Sequence, residues 1–186
     1  MKRLFDLVLG LILVALLLVP ILFLCVLVRL TSPGPALYWS DRIGQHNMTF
    51  KMPKLRSMRV GTPALATHLM ANPKAHLTPI GIFLRKSSLD ELPQLWSILL
   101  GDMSFVGPRP ALFNQHDLIE MRTQKGVHTL LPGLTGWAQV NGRDELSIPQ
   151  KVEFDIEYLQ HQGFWLDIKI LWLTILKVVQ QDRVAH

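Results

Sequence analysis

Leu7-Val8-Leu9-Gly10-Leu11-Ile12-Leu13-Val14-Ala15-Leu16-Leu17-Leu18-Val19-Pro20-Ile21-Leu22-Phe23-Leu24-Cys25-Val26-Leu27-Val28 is a run of 22 residues without a charge. As a helix, a run of that length is long enough to cross the ~30 Å hydrocarbon layer of a bilayer. It is too long for the apolar core of a cleavable signal peptide, and no Ala-x-Ala-like site follows it. Pro20 interrupts the run, removing one helical hydrogen bond and kinking the chain. Lys2 and Arg3 precede the run, and Arg29 and Arg42 follow it. Cytoplasmic flanks carry the excess of Lys and Arg. A simple span would export one cationic flank, whereas a helix that bends at Pro20 and returns keeps both inside. The pattern therefore favours a re-entrant, monotopic helix, with a kinked transmembrane helix as the alternative. Asp6 lies three residues after Arg3, a spacing that predicts a pair between them.

Working outward, Thr31 to Pro35 breaks the helix and opens the rest of the chain. Ala36 to Trp39 reads as extended, with aromatics suited to headgroup level. Phe50 to Arg59 places Lys51, Lys54, Arg56 and Arg59 within nine residues; alone, this reads as a solvated basic strand or turn. Residues 60–79 read as loop with a short helix at 64–71. Helices are expected over 92–100, 111–125, 148–160 and 164–181. The last is rich in apolar residues but carries Asp167, Lys169 and Lys177, so it lies at the membrane interface or packs on the membrane hairpin; a buried core helix is the other reading. The expectation is an α+β fold, mostly helical, with residues 1–30 as membrane helix and 31–186 as a cytoplasmic domain with an interfacial C-terminal helix, in one integrated unit.

Composition narrows the partners. The 186 residues carry a formal net charge of +5, which suits an anionic membrane surface or a phosphorylated substrate. There is no Lys/Arg block and no nucleic-acid motif, so nucleic acid is not expected. The single cysteine rules out an intrachain disulfide, and the seven histidines lack metal-ligand spacing.

Two further stretches carry chemistry. Arg85-Lys86-Ser87-Ser88-Leu89-Asp90-Glu91-Leu92-Pro93-Gln94-Leu95 sets two adjacent carboxylates after two cations. Pro93 belongs in a helix's first turn, so Asp90 and Glu91 fall at a helix start, where anions are favoured. Alone, the stretch also reads as a plain cap, with Ser88 and Glu91 forming a capping box. Gly101 to Pro110 ends in Pro108-Arg109-Pro110, which fixes the backbone on both sides of one guanidinium suited to phosphate or a base edge. Pro132 to Arg143 reads as loop, short strand, loop, with glycines for close approach and Gln139, Asn141 and Arg143 as directed donors.

Together, Phe50–Met58, Leu84–Leu95, Gly101–Pro110 and Pro132–Arg143 resemble the small monotopic phosphoglycosyl transferases, also called bacterial sugar transferases. The similarity runs from Lys2-Arg3-Leu4-Phe5-Asp6 to the last helix. It implies transfer of a sugar phosphate from a UDP-sugar to undecaprenyl phosphate, releasing UMP, at the cytoplasmic face of the bacterial inner membrane. It implies Mg2+, with Asp90 at the metal, and a covalent intermediate with Asp90 as nucleophile and Glu91 as its partner. By the same resemblance Arg85 holds phosphate and Pro108, Arg109 and Pro110 lie at the nucleotide. Lys54, Gln139 and Arg143 join the phosphate and nucleotide site. Asp155 and Tyr158 match a further Asp-x-x-Tyr pattern without an assigned role. Relatives often bend at Ser-Pro, where this chain has Val19-Pro20.

The sugar is not readable, although an N-acetylated amino sugar is favoured over a hexose. The glycan pathway and a possible homodimer also stay open. Two rival readings are a non-catalytic membrane-anchored scaffold and a basic peripheral lipid-binding protein.

Overall fold

A computed structural model describes residues 1–63, 72–142 and 145–184; the helix expected over 64–71 lies outside them. The apolar run forms α1 (Lys2–Thr31), 30 residues and about 45 Å long. Among the described residues it is the one helix long and apolar enough to cross a membrane. It continues through Pro20 as one helix, although Pro20, lacking an N–H, leaves the Leu16 carbonyl without its helical donor.

The rest of the chain follows in short elements. These are β1 (Leu37–Ile43), β2 (Thr49–Leu55), α2 (Gly81–Lys86), a 3-10 turn (Leu89–Gln94) and α3 (Leu95–Leu100). Then come β3 (Ser104–Val106), β4 (Ala111–Leu112), α4 (His116–Gln124), β5 (Gly133–Thr135), α5 (Trp137–Val140), α6 (Ile148–His161) and α7 (Phe164–Val184). The expected helix over 92–100 is thus split, because Pro93 and the tight turn at Ser88 hold its start in 3-10 form. The extended segment expected at 36–39 grows into a hairpin, running antiparallel from Leu37 opposite Leu55 to Ile43 opposite Thr49. The sheet order is β2-β1-β4, so Pro53 sits on an edge strand, where its missing N–H is tolerated. β3 and β5 form a separate parallel pair.

One stripe of α1 packs inward. Asp6, Gly10, Leu24 and Val28 are buried, and Leu9, Leu13, Val14 and Leu17 pack on the core formed by Ile98, Met103, Phe105, Tyr158 and Ile170. The opposite face exposes eleven large apolar side chains, among them Leu11, Leu16, Val19, Phe23 and Val26. At roughly 1.5–3 kcal/mol each, leaving them in water would cost of order 20 kcal/mol. That exceeds the net stability of an ordinary domain, about 5–15 kcal/mol, so this face requires an apolar surrounding.

Both ends of α1 dock on the same folded part. At the start, Lys2 meets Asp167 Oδ2 at 2.6 Å, and the Tyr158 hydroxyl donates to the other oxygen, Asp167 Oδ1, at 2.6 Å. Arg3 donates to the carbonyls of Ile98 (2.5 Å) and Leu99 (2.7 Å) in the last turn of α3, where carbonyls run short of helical donors; that of Ile98 also accepts the Gly101 N–H at 3.2 Å. Asp6 accepts from the Phe105 N–H at 3.1 Å. The Arg3–Asp6 pair expected from spacing is therefore not formed, because each side chain satisfies buried backbone of the folded part instead. At the far end, Leu24 and Val28 pack with Leu55 and Leu84. There the Arg56 guanidinium donates to the carbonyls of Pro33 and Ser32 (2.9 Å).

Candidate active site

Asp90 and Glu91 open the 3-10 turn between α2 and α3, against which β2 is laid. Ser88 enters it in the left-handed region, φ +56°, and Gly101 ends α3 at φ +99°, a position that favours glycine. The capping box suggested by Ser88 and Glu91 does not form, since Ser88 makes no side-chain cap bond. The true capping box joins Ser147 and Gln150 at the start of α6.

Glu91 is occupied by cations instead. Lys54, on β2, donates to Glu91 Oε1 at 2.7 Å. Arg109 donates to the same oxygen at 2.5 Å and to Oε2 at 3.4 Å. Burial raises the Glu91 pKa, but Arg109 and Lys54 outweigh it and hold the carboxyl well below the usual carboxylate range. Lys54 is pushed down, chiefly by desolvation, with Glu91 opposing.

Asp90 is the contrasting group. Its residue is only 8% exposed, yet its carboxylate makes no hydrogen bond among the described residues. Burial raises its pKa, Lys54 lowers it, and the neighbouring Glu91 charge raises it again. A desolvated carboxylate without donors is a stronger nucleophile than a solvated or paired one. Arg85, on α2, lies close enough to Asp90 to lower its pKa and is held by Ser57, whose Oγ accepts from Nε at 3.0 Å.

The structure thus brings Lys54, Arg85 and Arg109 together around the dyad. Pro108 and Pro110 shape the turn that delivers Arg109. Gln139, on α5, is not drawn in: among the described residues no contact joins it to Asp90 or Glu91, and neither of its amide atoms finds a partner. Its Oε1 lies beside the close approach of Gly136 to the Gly107 backbone. Arg143 lies outside the described residues. Asp155 pairs with Arg122 (2.7 Å) and Tyr158 with Asp167, so neither touches the dyad.

Two arginines went unrecognised in the sequence. Arg42 looked like a flanking cation, yet it sits on β1, donating to the Pro110 carbonyl at 3.1 Å. Its pKa is lowered to about 10, chiefly by burial and then by Arg109, with Glu91 opposing. Nothing in its local sequence signals this, because only the sheet brings residue 42 to residue 110. Arg122 did leave a signal: it falls four residues after Leu118, on the buried stripe of α4.

Among the described residues no group of three or more His, Cys, Asp or Glu side chains could hold a metal. Asp90 is the dyad's uncommitted carboxylate. Mg2+ is commonly held by one or two carboxylates together with substrate phosphates. The residues therefore fit an ion arriving with a diphosphate, not one caged by protein alone.

Paired carboxylates, one gripped and one open, ringed by cations, suit an anionic substrate. The profile of the Bacterial sugar transferase family matches residues 1–181, and the chain belongs to this family of phosphoglycosyl transferases. It is 40% identical over 188 residues to the uncharacterized sugar transferase EpsL of Bacillus subtilis, covering all of this chain and 91% of that protein. It is 40% identical over 185 residues to the UDP-glucose:undecaprenyl-phosphate glucose-1-phosphate transferase of Escherichia coli, covering 95% of this chain and 40% of that protein. The undecaprenyl-phosphate galactose phosphotransferase of Salmonella typhimurium is 35% identical over 199 residues, covering 98% of this chain and 41% of that one. The chain thus spans well under half the length of these last two relatives.

Proposed function

We propose that this chain transfers a sugar phosphate from a UDP-sugar to undecaprenyl phosphate through a covalent aspartyl intermediate on Asp90. One observation carries this reading: Glu91 is locked by Lys54 and Arg109, while the adjacent Asp90 is desolvated and open.

In the first step an Asp90 oxygen attacks the phosphorus that bears the sugar. The bond from that phosphorus to the bridging oxygen breaks, and UMP leaves with the electron pair. In the second, a phosphate oxygen of undecaprenyl phosphate attacks the same phosphorus and displaces Asp90, giving undecaprenyl diphosphosugar. Both steps bring anions together; Arg85 and Lys54 offset that repulsion in each, and Arg109 in the first. Arg85 holds the transferred phosphate, and Arg109 lies at the nucleotide side. Gln139 and Arg143 have no place in these steps drawn from geometry. Mg2+, when bound at Asp90 with the diphosphate, supplies further charge neutralisation.

The acceptor is a lipid, so the site has to stand at headgroup height. Exposed Ile82, Phe83, Trp96 and Leu100 on α2 and α3 flank the dyad turn, and Phe164, Trp165 and Trp172 are exposed on α7. Aromatic and apolar surface of this kind suits the interface. The docking of both α1 ends on one folded part supports a monotopic, re-entrant α1 with Pro20 at its turn. On this reading residues 31–186 lie at the cytoplasmic face of the inner membrane, in one unit with residues 1–30.

The test is UMP release from a panel of UDP-sugars by detergent-solubilised protein with undecaprenyl phosphate and Mg2+. The relatives' names put glucose and galactose first in the panel, followed by N-acetylated amino sugars. Release with one donor, lost in Asp90→Asn, supports the reading. Silence across the panel, with lipid binding retained, would favour the membrane scaffold.

A further inference from the structure

We infer that Arg122 and Asp155 are positioning residues of this reaction: a buried ion pair that holds the Arg109 carbonyl and so fixes the guanidinium that grips Glu91. This role rests on the reaction proposed above.

Arg122 is on α4 and Asp155 on α6, and neither touches the dyad. The Arg122 side chain is fully engaged. Its Nε and Nη2 donate to Asp155 Oδ2 at 2.9 and 2.7 Å, and its Nη1 donates to the Arg109 carbonyl at 2.7 Å. Asp155 is 1% exposed and Arg122 9%. A buried ion pair is a poor source of stability, since apolar residues of similar size usually serve as well or better. What distinguishes this pair is its third bond, made to the backbone of the residue that carries the site's guanidinium.

The Pro108-Arg109-Pro110 turn needs such a handle. Its two prolines have no N–H to offer, so its carbonyls do the anchoring. Pro108 accepts from the Gly133 N–H at 2.9 Å, Arg109 from Arg122, and Pro110 from Arg42. Packing does not replace these bonds, because a cavity of about 30 Å³ lies behind the turn, lined by Pro108, Pro110, Arg122 and His128. Without Arg122 the Arg109 backbone has room to shift. A misplacement of about 1 Å at a reacting site costs up to about 100-fold in rate.

The experiment compares full-length wild type with the paired variant Arg122→Met/Asp155→Leu, which removes the bond to Arg109 without stranding a buried charge. Thermal unfolding reports the fold, and UMP release reports KM and kcat for the UDP-sugar and the lipid separately. The expected result is a Tm close to wild type, a kcat/KM for the donor at least about tenfold lower, and an unchanged KM for the lipid. Arg122→Lys is the second variant: its ammonium stays with Asp155, which keeps the chain folded, but a single point charge cannot also bridge to the Arg109 carbonyl. It is expected to show the same donor-specific loss. Wild-type donor kinetics in either folded variant overturns the role, as does an equal loss for donor and lipid. A wild type that releases no UMP would instead refute the proposed reaction, so the two failures are distinguishable.

Discussion

Two charged clusters hold this molecule together, and they differ in one respect. Where α1 begins, each charged side chain meets a partner: Lys2 meets Asp167, Arg3 meets two carbonyls, and Asp6 meets a backbone N–H. Around the dyad, Lys54 and Arg109 converge on Glu91, while Asp90 beside it accepts no hydrogen bond among the described residues. In the first cluster every charged side chain has at least one bond, although Asp6 Oδ2 stays buried without a partner among the described residues. The second holds an excess of cations and an open carboxylate, an arrangement that an anionic substrate completes. The reacting cluster keeps a whole carboxylate in reserve, at a cost in stability.

Substitutions can break or sharpen that contrast. Asp90→Asn has the largest effect, lowering UMP release by several orders of magnitude, as loss of a nucleophile does. The same change should raise stability. Burial lifts the Asp90 pKa above 3.8, so the folded state prefers the proton, and ionisation at neutral pH is a destabilising load. Asp90→Asn should therefore unfold at higher temperature than wild type at pH 7. The gap should close as the pH falls towards the ordinary Asp range, where wild type is also neutral. Equal Tm values at pH 7 would show that Asp90 is not desolvated.

Glu91→Gln comes next, because it strips the anion from Lys54 and Arg109. It should cost about 1–3 kcal/mol, read by chemical denaturation, and weaken donor use strongly. The sign of its pH dependence is opposite to that of Asp90. A carboxyl held below its usual 4.5 stabilises above that value and loses its contribution only as the pH drops through the depressed folded pKa. Wild type should keep this contribution through mild acid, and Glu91→Gln should remove it. In the docking cluster, Arg3→Ala should cost about 1–3 kcal/mol by uncapping α3 and leave the donor KM unchanged. Smallest of all is Lys51→Ala. Its pair with Asp41 is exposed on both sides, and such pairs contribute about 0–1 kcal/mol, so unfolding and kinetics should match wild type.

Much of this was legible in the chain itself. The apolar run, the mostly helical α+β character and the paired carboxylates after Arg85 and Lys86 followed from local pattern, because helical period and charge are written in consecutive residues; Lys54 and Arg109 entered through the family resemblance. What failed was pairing across distance. Arg3 and Asp6 are well spaced for each other, but the end of α3 and the β3 backbone offered buried groups that outbid a local pair. Ser88 and Glu91 have the spacing of a capping box, but β2 and the Pro-Arg-Pro turn deliver two cations to that glutamate first. Arg42 and Arg122 act on the turn through the sheet and through α4, and neither placement is encoded near residue 109.

The most direct measurement is the intact mass of the detergent-solubilised protein after incubation with UDP-sugar and Mg2+ but no lipid acceptor, beside Asp90→Asn. A covalent aspartyl intermediate predicts an added mass of one sugar phosphate on the peptide containing Asp90, stoichiometric UMP, and neither in the variant. UMP release that requires the lipid from the outset, with no added mass on the protein, would contradict it.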